Sequence, residues 1–184
     1  MSEQSNHIIP ESDLIRGCLE GDRKMQEELY KRFSPKMYAV SLRYAGQNDD
    51  AQDILQDGFV KVFRNLGMYR GEGSFEGWIR RIFVNTAIEH YRRKANVYPV
   101  TETHENVMEA RDASALDSLS IKDLQAIIRQ LSPGYKTVFN LYVIEGYSHK
   151  EIAEMMGISE GTSKSQLARA KAILQNIIRT YQKH

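Results

Sequence analysis

Wherever this chain carries a clear apolar pattern, its apolar residues recur at helical spacing, and no stretch alternates long enough to build a sheet. Leu14, Cys18 and Leu19 open one such face, and Leu29, Tyr30 and Phe33 continue it to Pro35, which is expected to interrupt the helix. Met37, Val40, Ser41 and Tyr44 form a second face, with Gly46 as its expected stop. In "DDAQDILQDGFVKVFRNLG", Leu55, Phe59, Val62, Phe63 and Leu66 fall on one side, and Asp53, Gln56, Asp57 and Lys61 on the other. "MYRGEGS" reads as a loop, with Ser74 as N-cap for the helix "FEGWIRRIFVNTAIEHYRRK". From Ala95 to about Ser118 the pattern lapses into polar, acidic sequence broken by Pro99, and a linker is the better reading of so long a lapse. "IKDLQAIIRQL" and "PGYKTVFNLYVIEG" restore it, Pro133 being suited to a helix start. The fold class is therefore all-α: two small helical domains, residues 10–95 and 118–184, joined by a flexible acidic linker at 96–117.

Charge is sorted along the chain in a way that the overall +1 conceals. Residues 45–60 carry −4, 78–94 carry +4, 95–120 carry −4 and 160–184 carry +4. Segregated blocks of this kind lead us to expect separate surfaces for separate partners. With 41% hydrophobic and 27% charged residues the composition is that of a globular chain. No apolar run is long enough to span a bilayer, and the polar start "MSEQSNHIIPESD" is unlike a signal peptide, so a cytoplasmic setting is expected. Cys18 is the single cysteine, which excludes a disulfide framework and reads as packing. "GEGS" and "GTSK" lack the order of a phosphate-binding loop, and the five histidines have no ligand spacing. No catalytic residue, metal or cofactor is expected, and no small-molecule substrate.

The sharpest local feature is "EIAEMMGISEGTSKSQLARAKAILQ", residues 151–175. Ile152 and Met156 face inward with Ile158, Ala153 sits where two helices approach, and Gly157 allows the positive φ that ends the first helix. Ser159 can cap the second helix, whose inward stripe is Leu167, Ala170, Leu174 and Ile177. Its other face carries Glu160, Thr162, Lys164, Ser165 and Arg169, the small hydroxyls and long cations that a helix needs to enter a DNA major groove. This is a helix-turn-helix. From these residues alone, a stand-alone helix-turn-helix regulator remains an alternative, as does a helical protein–protein module.

Together, "DAQDILQDGFVKVFRNL", "FEGWIRRIFVNTAIEHYRRK" and "EIAEMMGISEGTSKSQLARAK" resemble the conserved segments of bacterial extracytoplasmic function (ECF) sigma factors, in the right order and over about Ser12 to Ile178. The resemblance implies a factor that binds core RNA polymerase, through its largest and second-largest subunits, and directs promoter-specific initiation. It places polymerase docking on Asp53, Ile54, Gln56, Asp57 and Phe59. It places capture of the melted −10 element on Asn65, Tyr69, Arg70, Arg80, Arg81, Asn85, Arg92, Arg93 and Lys94. Reading of the duplex −35 element falls to Glu160, Thr162, Ser163, Lys164, Ser165 and Arg169. Ser163 and Gln166 depart from the family, which usually has Val and often Arg there. The resemblance also implies an anti-sigma protein as a further partner, and a linker route through the nucleic-acid channel of polymerase.

Overall fold

A computed structural model describes residues 9–97 and 121–181 of the chain, and the expected linker at 96–117 lies almost wholly outside them. Among the described residues there are helices and no strands: α1 (Glu11–Leu19), α2 (Arg23–Tyr44), α3 (Asn48–Asn65), α4 (Phe75–Val97), α5 (Ile121–Arg129), α6 (Pro133–Phe139), α7 (His149–Met156) and α8 (Glu160–Tyr181). A short 3₁₀ turn, Leu66–Met68, follows α3, and one π-helical turn, Asn140–Ile144, continues α6. The all-α expectation holds.

Pro35 does not interrupt α2, which runs unbroken from Arg23 to Tyr44. Leu29 and Phe33 before the proline, and Met37 and Val40 after it, all bury on one face. That burial offsets the single hydrogen bond and the local clash that a mid-helix proline costs. Leu19, read as part of the first apolar face, is 56% exposed, while Leu14 and Cys18 are buried. The Cys18 thiol is pushed up by burial and then by Asp22, which keeps it protonated packing.

Helices α3 and α4 run antiparallel, as the pairings Asp50–Lys94, Asp57–His90 and Lys61–Glu89 require. Their close approach depends on Gly58: a Cβ there would stand 2.5 Å from the ring of Phe83. Phe83 in turn meets Phe59 edge-on, with centroids 5.2 Å apart.

In the second half, Pro133 starts α6 as expected. Ser148 and Glu151 form a capping box on α7, which ends on Gly157 at φ +69°. Ser159 Oγ accepts from the amide of Thr162 at 3.0 Å and so caps α8. Ile127, Ile128, Leu131, Tyr135, Ala170, Leu174 and Ile178 pack α5, α6 and α8 together.

The halves meet directly. Buried side chains of α1–α4 form one cluster with Val138, Leu141, Ile152, Met156 and Leu167. At the C-terminus of α2, where backbone carbonyls lack helical partners, Lys136 Nζ donates to the Ala45 carbonyl at 2.7 Å and Asn140 Nδ2 to that of Arg43 at 2.9 Å. An ammonium there also suits the negative end of the helix dipole, although burial lowers its pKa. Glu145, with a side chain only 7% exposed, receives Arg80 through both carboxylate oxygens at 2.8 and 3.0 Å and lies 3.5 Å from Arg43.

Candidate partner and nucleic-acid interfaces

The outer face of α3 carries Asp53 and Gln56, both exposed, and Asp57, partly exposed. Ile54 and Phe59 were expected beside them as docking residues. The structure corrects this: they are 2% and 4% exposed and belong to the core. The reason is the 3.6-residue period, which carries Ile54 onto the stripe of Ala51, Gly58 and Val62. Asp57 is also engaged within the chain, 3.0 Å from His90 Nε2 and 3.5 Å from Arg93. The bond from His90, with the charges of His90 and Arg93, holds its carboxyl below the usual range. Asp53 makes no ion pair among the described residues.

The −10 set is spread along α4. Asn65, Tyr69, Arg70, Arg80, Arg81 and Asn85 lie toward its start and along the α3–α4 groove, whereas Arg92, Arg93 and Lys94 lie near its C-terminal end. Tyr69 donates from its hydroxyl to the Gly73 carbonyl at 3.0 Å, which folds the glycine loop back on the ring. Its ring lies against Phe75 and Trp78, and those two stack at 11°. An aromatic wall thus stands beside the loop, with Trp78 half-buried as packing. Ser74 accepts from the Gly77 amide at 3.0 Å, as an N-cap should. Asn85 is exposed one turn before Glu89, and Asn65 lies one turn beyond Lys61; the Lys61–Glu89 pair, 2.6 Å, therefore sets the two asparagines level across the groove. Asn65 already donates to the Lys61 carbonyl at 2.9 Å.

The cations of this set divide into two groups. Arg70, Arg81 and Arg92 are exposed and make no ion pair among the described residues. Arg80, Arg93 and Lys94 are held by Glu145, Asp57 and Asp50. The acidic block 45–60 and the basic block 78–94 are thus not wholly separate surfaces: Asp50 pairs with Lys94 and Asp57 with Arg93, while Asp53, Arg81 and Arg92 make no ion pair among the described residues. Antiparallel packing brings the two helices side by side, and much of their charge is paired across them.

On α8, Glu160, Lys164 and Ser165 are exposed and Thr162 partly so. Lys164 pairs with Glu160 at 2.8 Å, and Ser165 Oγ donates to the Thr162 carbonyl at 2.9 Å. Arg169 is half-buried and donates to the Tyr135 hydroxyl at 3.3 Å. Ser163, expected to touch DNA, is fully buried, and its Oγ lies 2.9 Å from Nδ1 of His149. Stepping back one turn from Leu167 along the inward stripe lands on Ser163, so the helical period turns it away from solvent. Gln166 is buried as well. Glu145, Lys136, Asn140, His149 and Gly58 had not been singled out from sequence. The only cue was polar residues such as Lys136 and Asn140, four apart, within an otherwise apolar helix.

Residues 29–97 match the family model for Sigma-70 region 2, and residues 121–174 match that for Sigma-70, region 4. Over 97% of its length the chain is 31% identical to the ECF RNA polymerase sigma-E factor of Haemophilus influenzae, 98% of which is covered. It is 29% identical to the ECF RNA polymerase sigma factor SigM of Mycobacterium tuberculosis, over 94% of this chain and 86% of that one. Its fold is similar to that of the sigma factor RpoE of Bartonella quintana, solved in complex with the anti-sigma factor NepR, with a TM-score of 0.50 and 20% identity over 83% of this chain and 96% of the other. Among the described residues, no helix is long and apolar enough to cross a membrane.

Proposed function

The chain belongs to the ECF family of RNA polymerase sigma factors, which direct polymerase to promoters, and from that premise we propose how its surfaces divide the work. Residues 10–95 form the unit that docks on core polymerase and captures the −10 element, residues 118–184 the unit that reads −35, and 96–117 the tether between them. Asp53 and Gln56, with Asp57 behind them, present a carboxylate face to basic groups on the largest polymerase subunit. Such a face supplies orientation and fast encounter more than affinity. Tyr69, Asn65 and Asn85 receive flipped −10 bases by stacking and amide hydrogen bonds, while Arg70, Arg81 and Arg92 follow phosphates. Arg80, Arg93 and Lys94 join them once released from Glu145, Asp57 and Asp50. Glu160, Thr162, Lys164 and Ser165 enter the major groove at −35, with Arg169 at the flank.

The reading is of a non-covalent initiation factor, not an enzyme, working in the cytoplasm where polymerase acts. An anti-sigma protein is a further partner, by analogy with the complex formed by the Bartonella relative. The observation that carries the division is the contrast between the exposed acidic face of α3 and the exposed hydroxyl and cationic face of α8. Run-off transcription with purified core polymerase tests it. The wild type yields discrete transcripts, and Asp53→Arg reduces them at least about tenfold, the scale of losing a charged interface contact. A polymerase-independent footprint without transcripts would favour the stand-alone regulator. Asp53 is the cleaner probe because Asp57→Arg would also set a new cation beside His90 and Arg93.

A further inference from the structure

We infer that Ser163 and His149 form an internal strut that sets the angle at which α8 meets DNA, and thereby which −35 sequences the protein accepts, with neither side chain touching a base. The inference rests on the reading of α8 as the helix that enters the groove.

Ser163 lies in the first turn of α8 and is fully buried, so its hydroxyl has no access to a groove. That hydroxyl and Nδ1 of His149 are 2.9 Å apart, one donating to the other. His149 is the first residue of α7, where the Ser148–Glu151 capping box fixes the backbone. Its ring stacks on Tyr142, with centroids 4.5 Å apart and planes at 21°. Tyr142 belongs to the π turn, and Lys171 Nζ of α8 stands 5.9 Å from the centre of its ring. The contacts therefore close a circuit: α8 at Lys171, the π turn at Tyr142, α7 at His149, and α8 again at Ser163. The two attachment points on α8 are about 12 Å apart along its axis.

Apolar packing through Leu167, Ala170, Leu174 and Ile178 holds α8 along its inner face, but being non-directional it leaves roll and tilt less restrained than a hydrogen bond does. Two attachments, one of them a directional hydrogen bond, restrict both motions. Thr162 and Lys164 flank Ser163 in sequence, and Glu160 and Ser165 lie within the same turn and the next. Any change in the strut moves this whole exposed set together. Base discrimination in the major groove depends on bidentate geometry, which tolerates little angular error. Ser163 and His149 are thus positioning residues for specificity.

The test is transcription by the reconstituted holoenzyme from two promoter libraries, one randomised at −35 with −10 fixed and one the reverse. Ser163→Ala removes the hydroxyl, and His149→Phe keeps a flat ring on Tyr142 while removing the nitrogen. We expect both variants, and the double variant, to show the same altered −35 ranking, the wild-type optimum losing about tenfold against other elements. The −10 ranking stays as in the wild type. An unchanged −35 ranking with uniformly lower output would overturn the strut and leave Ser163 as packing. Two different rankings that add in the double variant would also overturn it, pointing to separate contacts with DNA. Wild-type protein that yields no transcripts would bring down the functional reading and the strut with it. Should His149→Phe melt markedly earlier than wild type, Ser163→Ala decides alone.

Discussion

At the scale of single residues, Gly157 and Asp57 show two ways in which one position is constrained. Gly157 closes α7 at φ +69°, and an added Cβ would meet only ordinary contacts with Arg92, at 3.7 Å or more. Its requirement is therefore backbone strain alone. Gly157→Ala is expected to cost about 1–2 kcal/mol, measured as a lower midpoint in urea with an unchanged slope. Asp57 is constrained by charge. Its carboxyl is held below its ordinary value of 3.8 by the bond from His90 and then by neighbouring positive charge. A depressed folded value means that the unfolded chain binds the proton more readily. The contribution is thus complete above the ordinary value and fades as pH falls through the lowered one. Because the side chain is 48% exposed, screening keeps the effect small. Asp57→Asn should remove roughly 0.5 kcal/mol at neutral pH, a loss that shrinks as pH falls through the lowered carboxyl value, read from chemical denaturation along a pH series.

At the scale of elements, helix α7 has eight residues, too few to persist on propensity alone. Burial of Ile152 and Met156 in the shared core holds it, and the capping box adds to that: Ser148→Ala should cost about 1 kcal/mol, with amides of the first turn exchanging faster than those of α8. Gly58 constrains two elements at once. A methyl group there would drive the Phe83 ring away and wedge α3 from α4. Gly58→Ala is expected to destabilise by about 1–3 kcal/mol, and near-ultraviolet circular dichroism should register the displaced aromatic cluster. Periodicity made much of this scale legible: α3, α4, α7 and α8, the Gly157 turn and the Ser159 cap follow from spacing and turn chemistry. It also set Phe59 on an inward stripe, against its expected role in docking, whereas Ile54 and Ser163 lie outside the stripes read from spacing and are buried nonetheless. Pro35 misled because a proline is a local cost, whereas α2 persists through contacts made on both sides of it.

At the scale of the whole molecule, the seam between the halves is the feature with the widest consequence. Glu145 holds Arg80, a cation from the −10 set, so the seam between the halves occupies part of the proposed DNA surface. Glu145→Gln keeps the shape and removes the charge. Since Arg80 is 38% exposed, the loss should be only about 1–2 kcal/mol. The expected outcome is a larger radius of gyration in small-angle scattering and faster proteolysis between the halves, with helix content unchanged. A wild-type scattering profile for the variant would show that the apolar part of the seam suffices to hold it closed.

By itself the sequence determined what depends on near neighbours: helices from spacing, caps and turns from the residues that satisfy free amides or accept positive φ, and an acidic segment with no apolar pattern. It also carried the order of three motifs, which is enough for the family. Tertiary structure alone decided which charges remain available to a partner. Arg80 and Glu145 are 65 positions apart in the sequence, and nothing local links them. Ion pairing depends on distance in space, and a chain sets that distance only when its helices pack. The same holds for the strut: Ser163 and His149 are 14 residues apart on two helices, and only their crossing brings a hydroxyl to a ring nitrogen.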